Sequence, residues 1–141
     1  MRASVLASCL LALSGCGYLV GGTWEDDPGN WRRAFESEKA APVVVVHSRY
    51  WRSPHWSTEY EYFFQVRDDR NVRNEIVERY DLERSPETGA DLDGRAAGAP
   101  GWFCPAQPGR YDGWRPREQS AAFRMYVDRE TGDLFFTNRQ L

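Results

Sequence analysis

The clearest alternation of apolar and polar residues lies between Trp56 and Val66. Positions 60, 62, 64 and 66 are aromatic or apolar, whereas the other face carries Glu59, Glu61, Phe63 and Gln65, which are polar except for Phe63. A period of two is typical of a half-buried strand. The preceding stretch, residues 43–51, opens with a β-branched run, and turn residues separate the two. We predict a hairpin in which Trp51 and Trp56 form a cross-strand pair.

A second hairpin is predicted near the end of the sequence. Residues 121–128 and 133–138 are strand-like, and the loop between them contains Gly132. Short hairpin loops need a residue with positive φ, which glycine adopts at little cost. We therefore predict that Gly132 takes the left-handed conformation.

Two stretches have helical spacing. The first covers residues 31–39, where Trp31 and Phe35 share a face, Asn30 or Asp27 is the expected N-cap, and Arg32 is expected to pair with Glu36. Pro42 is expected to close this helix.

The second predicted helix follows Asp68 and Asp69, which are the expected capping residues. Its apolar stripe consists of Val72, Ile76, Val77 and Tyr80, and Ser85–Pro86 is expected to end it.

Residues 85–120 are rich in glycine and proline and have no clear period. We predict a long, flexible connection. Its second part contains Trp102, Phe103, Tyr111 and Trp114, and we expect this part to fold back over the sheet. The predicted fold class is α+β: an antiparallel sheet of about four strands, formed by two hairpins and packed by one or two helices.

The N-terminus has the order of an export signal. Arg2 precedes a nine-residue apolar run at positions 5–13, which is too short to span a bilayer but suits a signal peptide. The run ends in Leu13-Ser14-Gly15-Cys16, an aliphatic residue, two small residues and a cysteine. This segment resembles the lipobox of bacterial lipoproteins, which signal peptidase II cleaves. The alternatives are an ordinary secretory signal with a chance cysteine, or a buried N-terminal strand.

The resemblance implies cleavage before Cys16 and acylation of that residue, with more than one acyl chain for stable anchoring. Residues 1–15 are then a removed signal peptide, 16–23 a lipidated tether and 24–141 a single domain. Gly17 stands where an aspartate would favour inner-membrane retention, so we expect an outer-membrane lipoprotein that faces the periplasm or the cell surface.

The balance of acidic and basic residues limits the kinds of partner that the chain is expected to bind. The chain has 18 basic and 21 acidic residues, and its formal net charge is −3. Neither nucleic acid nor an anionic lipid surface is favoured by this balance. We expect contact with the membrane through the lipid anchor alone, and we predict no cofactor.

Cysteines and histidines provide one functional alternative. Cys9 leaves with the signal and Cys16 is acylated, so Cys104 is left without an intramolecular disulfide partner. His47 and His55, with Glu59 or Glu61, could hold a metal if the register brought them together. A small envelope hydrolase or metal protein using His47, His55 or Cys104 is therefore the alternative function. Residues 91–94 resemble the start of a calcium-binding loop, but the acidic ligands that follow in an EF-hand are absent from the sequence.

Aromatic residues provide the main functional hypothesis. The chain has six tryptophans, seven tyrosines and seven phenylalanines. They could fill a core that is poor in leucine, or they could form an exposed face for sugar rings or partner side chains. The candidate binding face consists of Trp51, Trp56, Trp102 and Trp114. The sequence thus favours a non-catalytic binding or structural lipoprotein, with an envelope protein or a cell-wall glycan as partner.

Overall fold

The computed structural model describes residues 21–40, 42–54, 59–85, 98–103 and 109–140, and these form one antiparallel sheet with two short helices. The strands are β1 (Gly22–Glu25), β2 (Val45–Arg52), β3 (Tyr60–Val66), β4 (Leu82–Ser85), β5 (Tyr111–Pro116), β6 (Arg124–Asp128) and β7 (Leu134–Gln140). The helices are α1 (Asn30–Phe35) and α2 (Arg70–Arg79).

The sheet has seven strands in the order β1-β2-β3-β7-β6-β5-β4, and every neighbouring pair is antiparallel. The predicted α+β fold with about four strands is therefore wrong, because the protein is mostly sheet. The β3–β4 connection contains α2 and crosses the width of three strands. β4 to β7 then return as a meander that ends beside β3.

Both predicted hairpins are present. β2 pairs with β3 and β6 pairs with β7, and β3 lies next to β7, so the two hairpins form the middle of the sheet. Gly132 has φ of 78°, as predicted, and a Cβ at this position would overlap the Asp68 side chain. Trp51 faces Glu61 across the ladder, and Trp56, its predicted partner, lies outside the described residues.

The prediction missed three strands, β1, β4 and β5. β1 and β4 are the two edges, with four residues each, and β5 contains Gly113 and ends at Pro116. None of them alternates clearly in sequence, and their pairing to neighbouring strands supplies the stability that their own pattern lacks. Pro116 is tolerated because it lies at the strand end.

The helices are shorter than predicted. α1 begins at Asn30 after Gly29, and Asp27 accepts a hydrogen bond from the Gly29 N–H instead of capping the helix itself. α1 ends at Phe35, well before Pro42, and Arg32 pairs with Glu38 instead of Glu36.

α2 has the predicted cap, since the Asp69 carboxylate accepts from the N–H groups of Asn71 and Val72. It ends at Arg79 and not at Ser85, because residues 82–85 form β4.

One face of the sheet, here called the helix face, is covered by α1 and α2. Its core is aromatic, and the innermost rings belong to Tyr62, Phe64, Phe123 and Phe136. Trp31 of α1 contacts Phe64 and Phe136 edge-on, and Tyr80 beyond α2 stacks on Phe123 with 4.0 Å between ring centroids. Buried Asn30 fixes the start of α1 by donating to the Trp24 carbonyl oxygen and the Ser48 hydroxyl.

The opposite face carries a smaller core formed by Phe63, Phe103, Tyr126 and Phe135. Phe103 belongs to residues 98–103, here called the strap, and the face is called the strap face. The expectation that the second part of the 85–120 connection folds back over the sheet holds for Trp102 and Phe103. It is wrong for Tyr111 and Trp114, which lie within the sheet itself as part of β5.

Candidate functional site

The strap attaches to the strap face at three points. At one end, the Arg49 guanidinium donates to the Gly98 carbonyl oxygen at 3.0 Å. At the other end, Trp102 stacks on His47 with ring centroids 5.3 Å apart, and Phe103 packs edge-on against Phe63. The strap thus packs on the middle of this face, whereas the margin formed by the end of β2, the start of β3 and the end of β7 carries other side chains.

That margin contains a row of four residues on adjacent strands, here called the Trp51 row. Trp51 of β2 pairs with Thr23 on one side and with Glu61 on the other, and Glu61 pairs with Arg139 of β7. Tyr50 and Tyr62 point to the helix-face core, so alternation places Trp51 and Glu61 on the strap face.

Trp51 differs from the other tryptophans that the structure describes. Trp24, Trp31 and Trp114 pack in or against the helix-face core, and Trp102 packs against the strap-face core. Within the described ranges, the half-buried Trp51 belongs to neither cluster and has no aromatic or cation–π partner. The Trp51 indole therefore lies outside both apolar cores, next to the polar residues Thr23 and Glu61.

Glu61 is enclosed but poorly paired. Its side chain is 17% exposed, and its nearest described cation is Arg139, whose Nε lies 3.9 Å from Oε1. Arg49, the other nearby cation, instead forms an ion pair with Glu25 at 3.1 Å. Among residues with a described position, none donates a hydrogen bond to the Glu61 carboxylate. Burial raises the pKa of Glu61 above its ordinary value, and the Arg139 and Arg49 charges offset this in part.

The comparisons with known proteins give no relative. No protein-family model, curated protein or solved structure matches this chain.

The predicted binding residues are only partly brought together. Trp51 and Trp102 lie on the strap face, whereas Trp114 lies on the opposite face, against the helix-face core. The Trp114 indole N–H is buried, and no described residue accepts a hydrogen bond from it. Trp56 lies outside the described residues, as does Cys16.

The alternative chemistry centred on His47 is only partly visible. His47 lies on the strap face between the Trp102 ring and the Asp26 carboxylate, whose Oδ2 is 3.3 Å from Nδ1. His55 and Cys104, the other residues of that hypothesis, lie outside the described residues. Within the described ranges, no group of three His, Cys, Asp or Glu side chains is placed to hold a metal ion.

Sequence reasoning missed Arg49 and Arg139 and considered Glu61 only as a metal ligand. One sequence signal pointed to the partial burial of Glu61, because alternation placed it on the same face as the apolar residue Phe63. The proximity of Glu61 to Arg139 depends on β7 pairing with β3, across a separation of more than 70 residues. A local pattern does not contain that information.

Proposed function

We propose that this chain is a lipid-anchored lipoprotein of the cell envelope that binds a partner protein or a cell-wall glycan through the margin of its strap face. The lipobox-like segment 13–16 supports the anchor, and Gly17 supports the outer membrane as its destination. In the described part of the chain, no helix is long and apolar enough to cross a membrane.

The position of β1 supports a function close to the bilayer. Gly22, the first residue of β1, follows Cys16 by six positions, which span about 20 Å when fully extended. A Cβ at Gly21 would overlap the backbone of Pro54, so the chain enters the sheet tightly packed against the end of β2. The Trp51 row, one residue from that end, would then lie near the membrane surface.

The observation that carries the binding proposal is the state of Trp51. A large, half-buried indole that belongs to neither described core cluster lies beside a carboxylate that lacks a described hydrogen-bond donor. Aromatic side chains with an accessible apolar face and polar neighbours are common at binding sites. A ligand that covers the indole and donates to Glu61 would satisfy both groups.

The anchor is tested by Cys16→Ser. The wild-type chain expressed in a bacterial host should take up radiolabelled palmitate and sediment with membranes, because two or more acyl chains anchor stably. We expect Cys16→Ser to lose the label, retain its signal segment and fail to appear as the mature lipoprotein. Ser14→Ala, which keeps a small residue, is the control and should be processed normally. Equal labelling of wild type and Cys16→Ser would refute the anchor.

The binding surface is tested by Trp51→Ala. Tagged protein would be crosslinked in the envelope and the captured protein or glycan identified, with wild type and variant compared at equal abundance. We expect Trp51→Ala to lose at least about 90% of the specific product, since hot-spot aromatics dominate small interfaces.

Val44→Ala is the matched control for this capture, because Val44 is an exposed apolar residue that takes no part in the Trp51 row. It should retain the full product. Capture that persists in a folded Trp51→Ala protein would contradict this location of the site.

A further inference from the structure

The Trp51 row offers three kinds of contact at adjacent positions. Trp51 provides an apolar ring face, Glu61 provides hydrogen-bond acceptors and Arg139 provides donors. Both Thr23, which extends the row on β1, and the indole N–H of Trp51 add further polar groups. This combination is more specific than a uniformly apolar surface, because an apolar ring face is followed along the row by an acceptor group and then by a donor group.

The charges beside the indole limit the chemistry of the ligand. A cationic ligand would pair with Glu61 but would meet Arg139 and Arg49, which lie on either side of that carboxylate. An anionic ligand would meet Glu61 itself and Glu25, which already holds Arg49. A neutral ligand with several hydroxyl or amide groups can donate to the carboxylate and accept from the guanidinium without a net charge penalty.

Sugar rings have this chemistry. One face of a pyranose presents C–H groups, which pack on the electron-rich face of an indole, and its edge presents hydroxyls. Such hydroxyls could donate to Glu61, because no described residue donates a hydrogen bond to its carboxylate and burial excludes much of the water that would otherwise hydrate it. Gly98 lies directly over the carboxylate, where a Cβ would come within 3.3 Å of Oε2, and this close approach screens Glu61 from bulk solvent on the strap side.

We infer that the Trp51 row is a binding subsite for a neutral saccharide, in which Trp51 stacks on the sugar ring, Glu61 accepts from its hydroxyl or amide groups and Arg139 donates to its oxygens. The inference rests on the proposed function and names its ligand class, a cell-wall type glycan. A position near the membrane, within reach of the Cys16 anchor, is compatible with a glycan that lies parallel to the bilayer.

The experiment is a titration of the purified mature chain in detergent with the tetramer of β-1,4-linked N-acetylglucosamine, followed by saturation-transfer NMR on the sugar protons. We expect saturable binding to the wild type. Trp51→Ala should abolish it, and Trp51→Phe, which keeps an aromatic face, should weaken it by no more than about threefold. Glu61→Gln should weaken it by about tenfold, the equivalent of one charge-assisted hydrogen bond.

Glu83→Gln is the matched control. Glu83 lies on β4 at the far edge of the sheet, where it pairs with Arg115, and this substitution makes the same chemical change as Glu61→Gln. Binding should be unchanged. Thermal melts will show whether each variant is folded. If Trp51→Ala does not fold, the binding of Trp51→Phe and Glu61→Gln tests the inference instead.

The inference is overturned if the tetramer does not bind saturably, or if Trp51→Ala or Glu61→Gln binds as the wild type does. Trp51-dependent capture of a protein from the envelope, without sugar binding, would reject the saccharide and keep the proposed function. Loss of both would reject the site itself.

Discussion

Replacing Phe136 by alanine should lower the free energy of unfolding by about 4 kcal/mol, the largest effect that we expect from a single substitution. Phe136 is fully buried at the centre of the helix face. Its ring contacts Trp31 and Phe35 from α1, and Phe64 and Phe123 from the sheet side of the same core. The substitution leaves a cavity. Its four aromatic neighbours are held in place by other rings and cannot move far enough to fill it, so most of the free-energy cost of the cavity remains.

Equilibrium denaturation in urea measures this effect. Phe136→Leu should cost about 1–2 kcal/mol, because it removes less volume. Val44→Ala is the control, since Val44 is 49% exposed and its truncation should change stability by less than about 0.5 kcal/mol. A loss below about 1 kcal/mol for Phe136→Ala would contradict the packing of the helix-face core.

The two central hairpins, which contain Phe64 and Phe136, are the part of the fold that the sequence could predict. Phe64 lies in β3, whose apolar and polar positions alternate over enough residues to identify both the strand and its buried face. Phe136 lies in β7, an apolar run followed by polar residues, which the hairpin loop before it marks as a strand. Their hairpin partners are close in sequence, so pairing follows from turn chemistry alone. The two central hairpins were therefore predictable, together with the left-handed Gly132.

The outer strands were not predictable, because their stability comes from neighbours that are distant in sequence. β4 has only the residues Leu82, Glu83, Arg84 and Ser85, and it is extended because Asp81 and Arg117 begin a ladder with β5. In isolation these residues could continue α2 equally well, and the sequence was interpreted in that way. The tertiary pairing overrides the local preference.

The candidate site divides along similar lines. The tryptophans were identifiable from sequence, but their grouping was not, because one position of register moves a side chain to the other face of the sheet. Trp114 pairs with Met125, whose side chain is fully buried in the helix-face core, and so lies opposite Trp51. The role of Glu61 depends on burial and on the distance to Arg139, and neither quantity exists before the sheet is assembled.

The second large effect is expected at Asp128, where β6 ends and the turn to β7 begins. Its carboxylate is 3% exposed and accepts two hydrogen bonds from the Arg110 guanidinium at Oδ2, the shorter at 2.8 Å. Oδ1 accepts from the Glu130 and Thr131 N–H groups and so holds the turn. Asp128→Asn places an amide N–H₂ or a weaker acceptor against a charged donor, and should cost about 2–3 kcal/mol at pH 7.

The pH dependence of this loss provides a sharper test than its size. The hydrogen bonds from Arg110, with those from the turn N–H groups, lower the pKa of Asp128 below the ordinary value for an aspartate. A carboxyl whose pKa is lower in the folded state stabilises the protein above its unfolded pKa of about 4, and this stabilisation is lost as the pH falls through the folded pKa. The stability difference between wild type and Asp128→Asn should thus be constant near neutrality and shrink below about pH 4, where the carboxyl of the unfolded wild-type chain becomes protonated and that of the folded protein follows at lower pH. Asp112→Asn, which disrupts the more exposed pair with Arg129, should cost less than about 1 kcal/mol. A difference for Asp128→Asn that is equal at pH 3 and pH 7 would mean that the charge of Asp128 does not hold this turn.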